Sequence, residues 1–154
     1  MAHGFFERGG WWVLTQSGLM VAVLVAGPAF PGGWGGGWLQ WVAWDLYVAG
    51  AVLGIAGVWV LRGNRTIFPR PQPGSRLVTR GIYRWIRHPL YASLMSLSAG
   101  WGLGWASWPA LGLGLGLTVF LRLKAGREER WLAEHFPEYP QYAARVRRFI
   151  PWVW

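Results

Sequence analysis

Three long stretches of this chain carry almost no charge, and nothing else limits its possible folds so strongly. Residues 11–30 include no charged side chain, residues 38–61 include Asp45 alone, and residues 89–121 include none. The hydrocarbon core of a bilayer is about 30 Å thick and a helix rises about 1.5 Å per residue, so about 20 apolar residues cross it. Each of the first two stretches fits one crossing. The third would make a helix of about 50 Å, and Ser107-Trp108-Pro109 interrupts it. It reads as a tight helical hairpin with arms 90–105 and 109–121, each short for a span.

Composition agrees. Of 154 residues, 53% are hydrophobic and 14% charged, against about 25% charged in a soluble domain. Fourteen tryptophans in so apolar a chain exclude disorder. With no cysteine, disulfide scaffolds, thiolate zinc sites and cysteine nucleophiles are excluded.

The net charge of +9 would point to nucleic acid in a soluble protein, and its placement argues against that partner. Of the 15 Lys and Arg residues, Arg8 precedes the first run, seven lie between Arg62 and Arg87, and seven follow Leu121. The connections 31–37 and 106–107 hold none. Four crossings with both termini cytoplasmic put every cation on one face, as the positive-inside rule requires, beside anionic lipid. The expected fold is therefore an all-α integral membrane protein of four transmembrane helices, the last two a hairpin, with a cytoplasmic C-terminal amphipathic helix. The first run lacks an A-x-A cleavage site and reads as a retained span in a bacterial inner membrane, not a signal peptide. Two regions follow: 1–61, a two-helix membrane region, and 62–154, which contains the hairpin 89–121 and the polar tail.

Glycines recur at helical spacing: Gly50, Gly54 and Gly57; Gly100 and Gly104; Gly112 and Gly116. Such small faces let membrane helices approach closely. Asp45 is costly near mid-bilayer, and its position toward the uncharged side favours a structural or snorkelling role.

Chemistry needs converging polar groups, which leaves the segment 62–89 and the tail. Pro69, Pro71 and Pro73 keep the front of the segment extended. Tyr83, Arg87 and Tyr91 then follow at i, i+4 and i+8, with Arg84 and His88 beside them. Pro89 suits the first turn of a helix, placing His88 at an N-terminus where amide donors are available. In the tail, Lys124 and Glu128 form an i, i+4 pair, and Glu128-Glu129 are the first acids after Asp45. Alone, His88 reads as a capping or hydrogen-bonded structural histidine and Glu128-Glu129 as solvated charge. The hairpin changes this, because it returns residues 81–91 and 124–129 to the same membrane face, where a zwitterionic, adenine-bearing ligand could be held. The closing residues 145–154 mix cations with tryptophan, as an interfacial anchor does.

The string Leu77-Val78-Thr79-Arg80-Gly81-Ile82-Tyr83, then Arg87-His88-Pro89-Leu90-Tyr91, and after the hairpin Glu128-Glu129, Leu132, Phe136, Tyr139, Tyr142 and Phe149-Ile150-Pro151 resembles the isoprenylcysteine carboxyl methyltransferase family and its bacterial relatives. The resemblance covers roughly residues 62–151. It implies a bundle of membrane helices that binds S-adenosyl-L-methionine at the cytoplasmic face and methylates a lipophilic small-molecule acceptor entering from the bilayer. Carried over by position, the cofactor contacts are Ser75, Arg76, Leu77, Val78, Tyr83, His88, Pro89, Leu90, Tyr91 and Glu128. A family arginine that meets the acceptor falls on Lys124, a point charge in place of a bidentate fork. Ser93 replaces a frequent glycine, and Phe136-Pro137-Glu138-Tyr139 is one residue shorter than the usual spacing.

Methyl transfer from a sulfonium is an in-line displacement, so positioning and exclusion of water suffice without a nucleophilic side chain. On this reading Glu128 accepts hydrogen bonds from the cofactor, His88 and nearby amides meet its carboxylate, Tyr83 and Tyr91 pack its adenosine, and Arg87 with Lys124 orients an acidic acceptor head. Two competing readings are an NADPH-dependent reductase of the sterol-reductase type and a non-enzymatic subunit such as a haem anchor. No 2′-phosphate clamp stands apart from the juxtamembrane arginines, and His3, His88 and His135 all lie outside the spans. The acceptor's reacting group and the oligomeric state are not encoded in any motif.

Overall fold

The computed structural model describes residues 6, 9–34, 36–61, 74 and 76–150. Five α-helices account for most of them: α1 Gly10–Ala29, α2 Trp38–Leu61, α3 Pro89–Gly104, α4 Trp108–His135 and α5 Tyr139–Arg145, with a 3-10 turn Gly81–Arg84 before α3. Among the described residues there is no strand, only an isolated parallel bridge between Ile86 and Arg147.

The first two uncharged runs form α1 and α2, the two described helices long and apolar enough to cross a membrane. The third run forms a hairpin as expected. Its turn is Trp105–Ser107, with Ala106 in the left-handed region at φ 50°. Ser107, fully buried, caps α4 by accepting from Ala110 N and donates its own hydroxyl to Ala26 O of α1 at 3.1 Å. The hairpin therefore pins the end of α1 as well as turning the chain. With 16 residues, α3 rises about 24 Å, less than the hydrocarbon core. The apolar arm of α4 and the polar tail are one continuous helix of 28 residues.

α2 packs along α3, and α1 along α4, with α3 against α4 between the pairs. The glycine face predicted on α2 makes its contact: Ser93 Oγ donates to Gly50 O at 2.6 Å, and a Cβ on Gly54 would stand 2.8 Å from that same oxygen. The hydroxyl of Ser93 thus occupies space that the α2 glycines vacate. Gly100 of α3 meets α2 in the same way, its Cβ position 3.1 Å from Ala43 O. The expectation for α4 needs correction. Gly112 and Gly116 face outward with nothing near them, and the packed residues are Ala110, Gly114, Leu117, Leu121, Lys124 and Ala125. Gly114 sits opposite Ser98; the alternation of Gly and Leu offered two glycine stripes, and only contact with α3 selects between them. Asp45 lies exposed on α2.

All described cations lie toward one end of the bundle, where α2 ends, α3 begins and α4 runs on into α5. The opposite end presents Trp34, Trp38, Trp105 and Trp108, with Trp34 and Trp108 rings 4.7 Å apart, the aromatic belt of an uncharged interface.

Candidate active site at the polar end of the bundle

The site is framed by backbone. After the 3-10 turn, residues 86–88 run alongside the end of the tail: Arg87 N donates to Arg147 O at 2.8 Å and His88 N to Arg148 O at 3.0 Å. Pro89 then opens α3 with His88 as its N-cap residue. Beneath lies an apolar floor of Ile86, Ala92, Ala125 and Phe149, joined by Leu53, Ile82, Tyr91 and Met95. Helix α4 crosses this floor with two adjacent carboxylates that point to different partners.

Glu129 is the hub. Its Oε1 accepts from Arg87 Nε at 3.0 Å, Arg148 Nε at 3.0 Å and His88 Nε2 at 3.1 Å, and Arg148 Nη2 reaches Oε2. Burial pushes this carboxyl up, but hydrogen bonds from His88 and Arg148 and the charges of His88 and Arg87 outweigh it and hold it down to about 2. Arg87 Nη1 also donates to the carbonyls of Ala143 and Val146 at the end of α5. The guanidinium of Arg87 therefore joins α4 to the end of α5.

Glu128, one residue earlier, faces the other way. Tyr91 OH donates to its Oε2 at 2.7 Å, and His88 Nδ1 lies 3.9 Å from the same oxygen. The His88 ring stacks on Tyr91 with centroids 5.2 Å apart and planes within 2°. On Tyr91's ring stands Lys124 Nζ, 5.4 Å from the centroid. Glu128 keeps 25% of its side chain exposed against 13% for Glu129, so of the two carboxylates it is the more accessible to a ligand.

Tyr83 is buried, and its carbonyl accepts from Tyr142 OH at 2.6 Å. Burial pushes the Tyr83 phenol up, helped by Glu128 and Tyr142. Tyr142 is pushed up to about 12 by burial, against the opposing charge of Arg87. Tyr139 was quoted in the sequence only as part of a motif. It is 3% exposed, and its hydroxyl has no hydrogen-bond partner among the described residues. Burial and Glu129 push it upward, so it stays a neutral donor. An unsatisfied buried hydroxyl beside the two carboxylates calls for an explanation. The signal for Tyr139 was the Tyr-x-x-Tyr spacing, which puts both phenols on α5.

The remaining expected contacts divide. Leu77 lines an open cleft of about 530 Å³ with Thr79, Arg84, Glu138, Gln141, Tyr142, Arg145 and Val146. Val78 is half-buried next to it, and Arg76 is exposed. Pro89 and Leu90 turn toward α2, where a Cβ on Gly57 would meet Leu90 Cδ2 at 2.9 Å. There they pack the α2–α3 pair. Ser75 lies outside the described residues.

Residues 38–139, from α2 to the first residue of α5, match the model of the family described as phospholipid methyltransferase. The chain belongs to that family. The match spans more than half of the sequence and includes His88, Tyr91, Lys124, Glu128 and Glu129. The chain is also similar to the cobalt-zinc-cadmium resistance protein CzcN of Cupriavidus metallidurans, 31% identical over 127 residues, covering 77% of this chain and 53% of that protein. The chain thus spans about half the length of the curated relative it matches. The family's description names methyl transfer, and nothing in it favours the reductase reading. Helix α1 and the tail after Tyr139 lie outside the family match.

Proposed function

We propose that the protein transfers a methyl group from S-adenosyl-L-methionine to a lipophilic acceptor of the isoprenylcysteine carboxylate type or a similar acid, at the cytoplasmic face of a bacterial inner membrane. The observation that carries this reading is the split of roles between adjacent carboxylates: Glu129 is enclosed by Arg87, His88 and Arg148, while Glu128, held by Tyr91, stays partly exposed.

The residues present suit the cofactor. Glu128 offers acceptor oxygens to its hydroxyl or amino groups, and the buried hydroxyl of Tyr139 offers a donor that no described residue uses. Tyr83, the stacked His88–Tyr91 pair and the half-buried Leu77 and Val78 supply aromatic and apolar surface for an adenosine. When bound, the cofactor supplies an electrophilic methyl carbon on a sulfonium. The protein's part is to bind, orient and exclude water. Glu129, fixed by Arg87 and Arg148, orients His88 and anchors α5 and the tail over the site. Lys124 draws the acceptor's anionic head toward the ring of Tyr91. On the proposed topology of four crossings with both termini cytoplasmic, the site faces the inner surface, where an acceptor dissolved in the bilayer arrives sideways between helices.

Calorimetric titration with S-adenosylhomocysteine tests the assignment. The unaltered protein is expected to bind it, and Glu128→Ala to weaken binding at least about tenfold, the effect of losing one charge-assisted hydrogen bond. Equal affinity in Glu128→Ala overturns the assignment.

A further inference from the structure

Of the 15 Lys and Arg residues in the chain, Lys124 is the one lysine. It is also 3% exposed. Arginine keeps its charge wherever it is placed, whereas lysine loses its charge readily on burial. A buried ammonium therefore needs an acceptor close by. The acceptor here comes from α1: Lys124 Nζ donates to Gln16 Oε1 at 2.6 Å. The other end of that amide, Gln16 Nε2, lies 3.8 Å from Met20 Sδ one turn further along α1. This sulfur contact orients the amide with its carbonyl toward the lysine. A glutamine within an uncharged span is costly unless paired, and this pairing links α1 to the site across 108 residues of sequence.

We propose that Gln16 is a positioning residue that holds the Lys124 ammonium over the Tyr91 ring, so that α1 completes the binding site for an anionic acceptor head. The inference rests on the reading of Lys124 as the acceptor-facing cation and extends it to a helix outside the family match. The groups facing Lys124 are Gln16 from α1, Tyr91 from α3 and Glu128 one turn on in α4. Burial lowers the lysine's affinity for its proton and Glu128 opposes that; Gln16 adds a hydrogen bond that the charged form donates more strongly than the neutral one. Lysine's remaining ammonium hydrogens are then available to an anionic oxygen.

A single lysine makes the test direct, since protein labelled with carbon-13 at the lysine ε position gives one signal to titrate. Palmitate serves as a lipophilic carboxylate probe and methyl palmitate as its uncharged control. In Gln16→Leu the titration of Lys124 is expected to move about one unit to lower pH, the effect of losing one hydrogen bond to a charged group. Palmitate binding between the two midpoints then falls up to about tenfold and returns at lower pH, while S-adenosylhomocysteine binding is unchanged. Gln16→Glu, which replaces the amide by a carboxylate of the same reach, moves the midpoint the other way. The proposal is overturned by equal midpoints in all three proteins, by palmitate binding that ignores the shift, or by Gln16→Leu losing S-adenosylhomocysteine binding as well. If the unaltered protein does not bind S-adenosylhomocysteine, the methyltransferase reading itself fails, a different result from an unmoved lysine.

Discussion

Two neighbouring glutamates do different work because a helix turns about 100° per residue. Glu128 points to Tyr91 and Lys124, and Glu129 to Arg87, His88 and Arg148. Replacing Glu129 by Gln leaves the Arg87 and Arg148 guanidiniums facing a neutral amide in a largely buried place. A loss of about 3–5 kcal/mol is expected from breaking such a cluster on one side, read as a drop in the unfolding midpoint of the purified protein in detergent. The cluster also has a defined pH response. The Glu129 carboxyl is depressed in the folded state from an ordinary 4.5 to about 2, so the folded state binds that proton less readily than the unfolded one. Its contribution is fully present above the ordinary value and is lost as pH falls from about 4.5 toward 2. Thermal unfolding followed across that range should show the loss in the unaltered protein and a much flatter profile in Glu129→Gln. Both acids are visible in the sequence. Which of them is enclosed by guanidinium groups is not, because Arg148 reaches Glu129, and the Ala143 and Val146 carbonyls reach Arg87, only through the return of the tail.

At the scale of elements, the uncharged runs and the proline after His88 marked α1, α2, the hairpin and the start of α3 in advance. The glycine pattern worked on α2 and failed on α4. On α2 the glycines meet Ser93 and Leu97 of α3, and any side chain there must push the helices apart. Gly50→Leu is expected to destabilise the pair by about 1–3 kcal/mol, whereas Gly112→Ala, facing open surroundings, should be neutral or up to about 1 kcal/mol stabilising through helix propensity. Parallel melting curves of the two variants measure the contrast; equal losses would show that Gly112 is packed. The short α5 and the parallel bridge between Ile86 and Arg147 had no counterpart in periodicity, because neither is amphipathic enough or long enough to leave one.

For the whole molecule, topology is the testable quantity. With no cysteine in the chain, single cysteines introduced at Gly36 and Arg130 can be labelled from either side of sealed bacterial vesicles. The two are expected to react from opposite faces, Arg130→Cys from the cytoplasmic one; labelling of both from the same face would rule out the crossings described. The sequence by itself determined the two helices long and apolar enough to cross a membrane, the hairpin that follows them and the separation of charged from uncharged segments. These depend on local hydropathy and on the energetic cost of moving charge across a bilayer, both of which are written residue by residue. Tertiary structure alone decided which polar groups meet: Glu129 with Arg148, Gln16 with Lys124, and Tyr139 with no hydrogen-bond partner among the described residues. Each of those arrangements joins helices that are distant in the chain, and a contact between distant helices depends on how their faces rotate against one another, which no single stretch of sequence specifies.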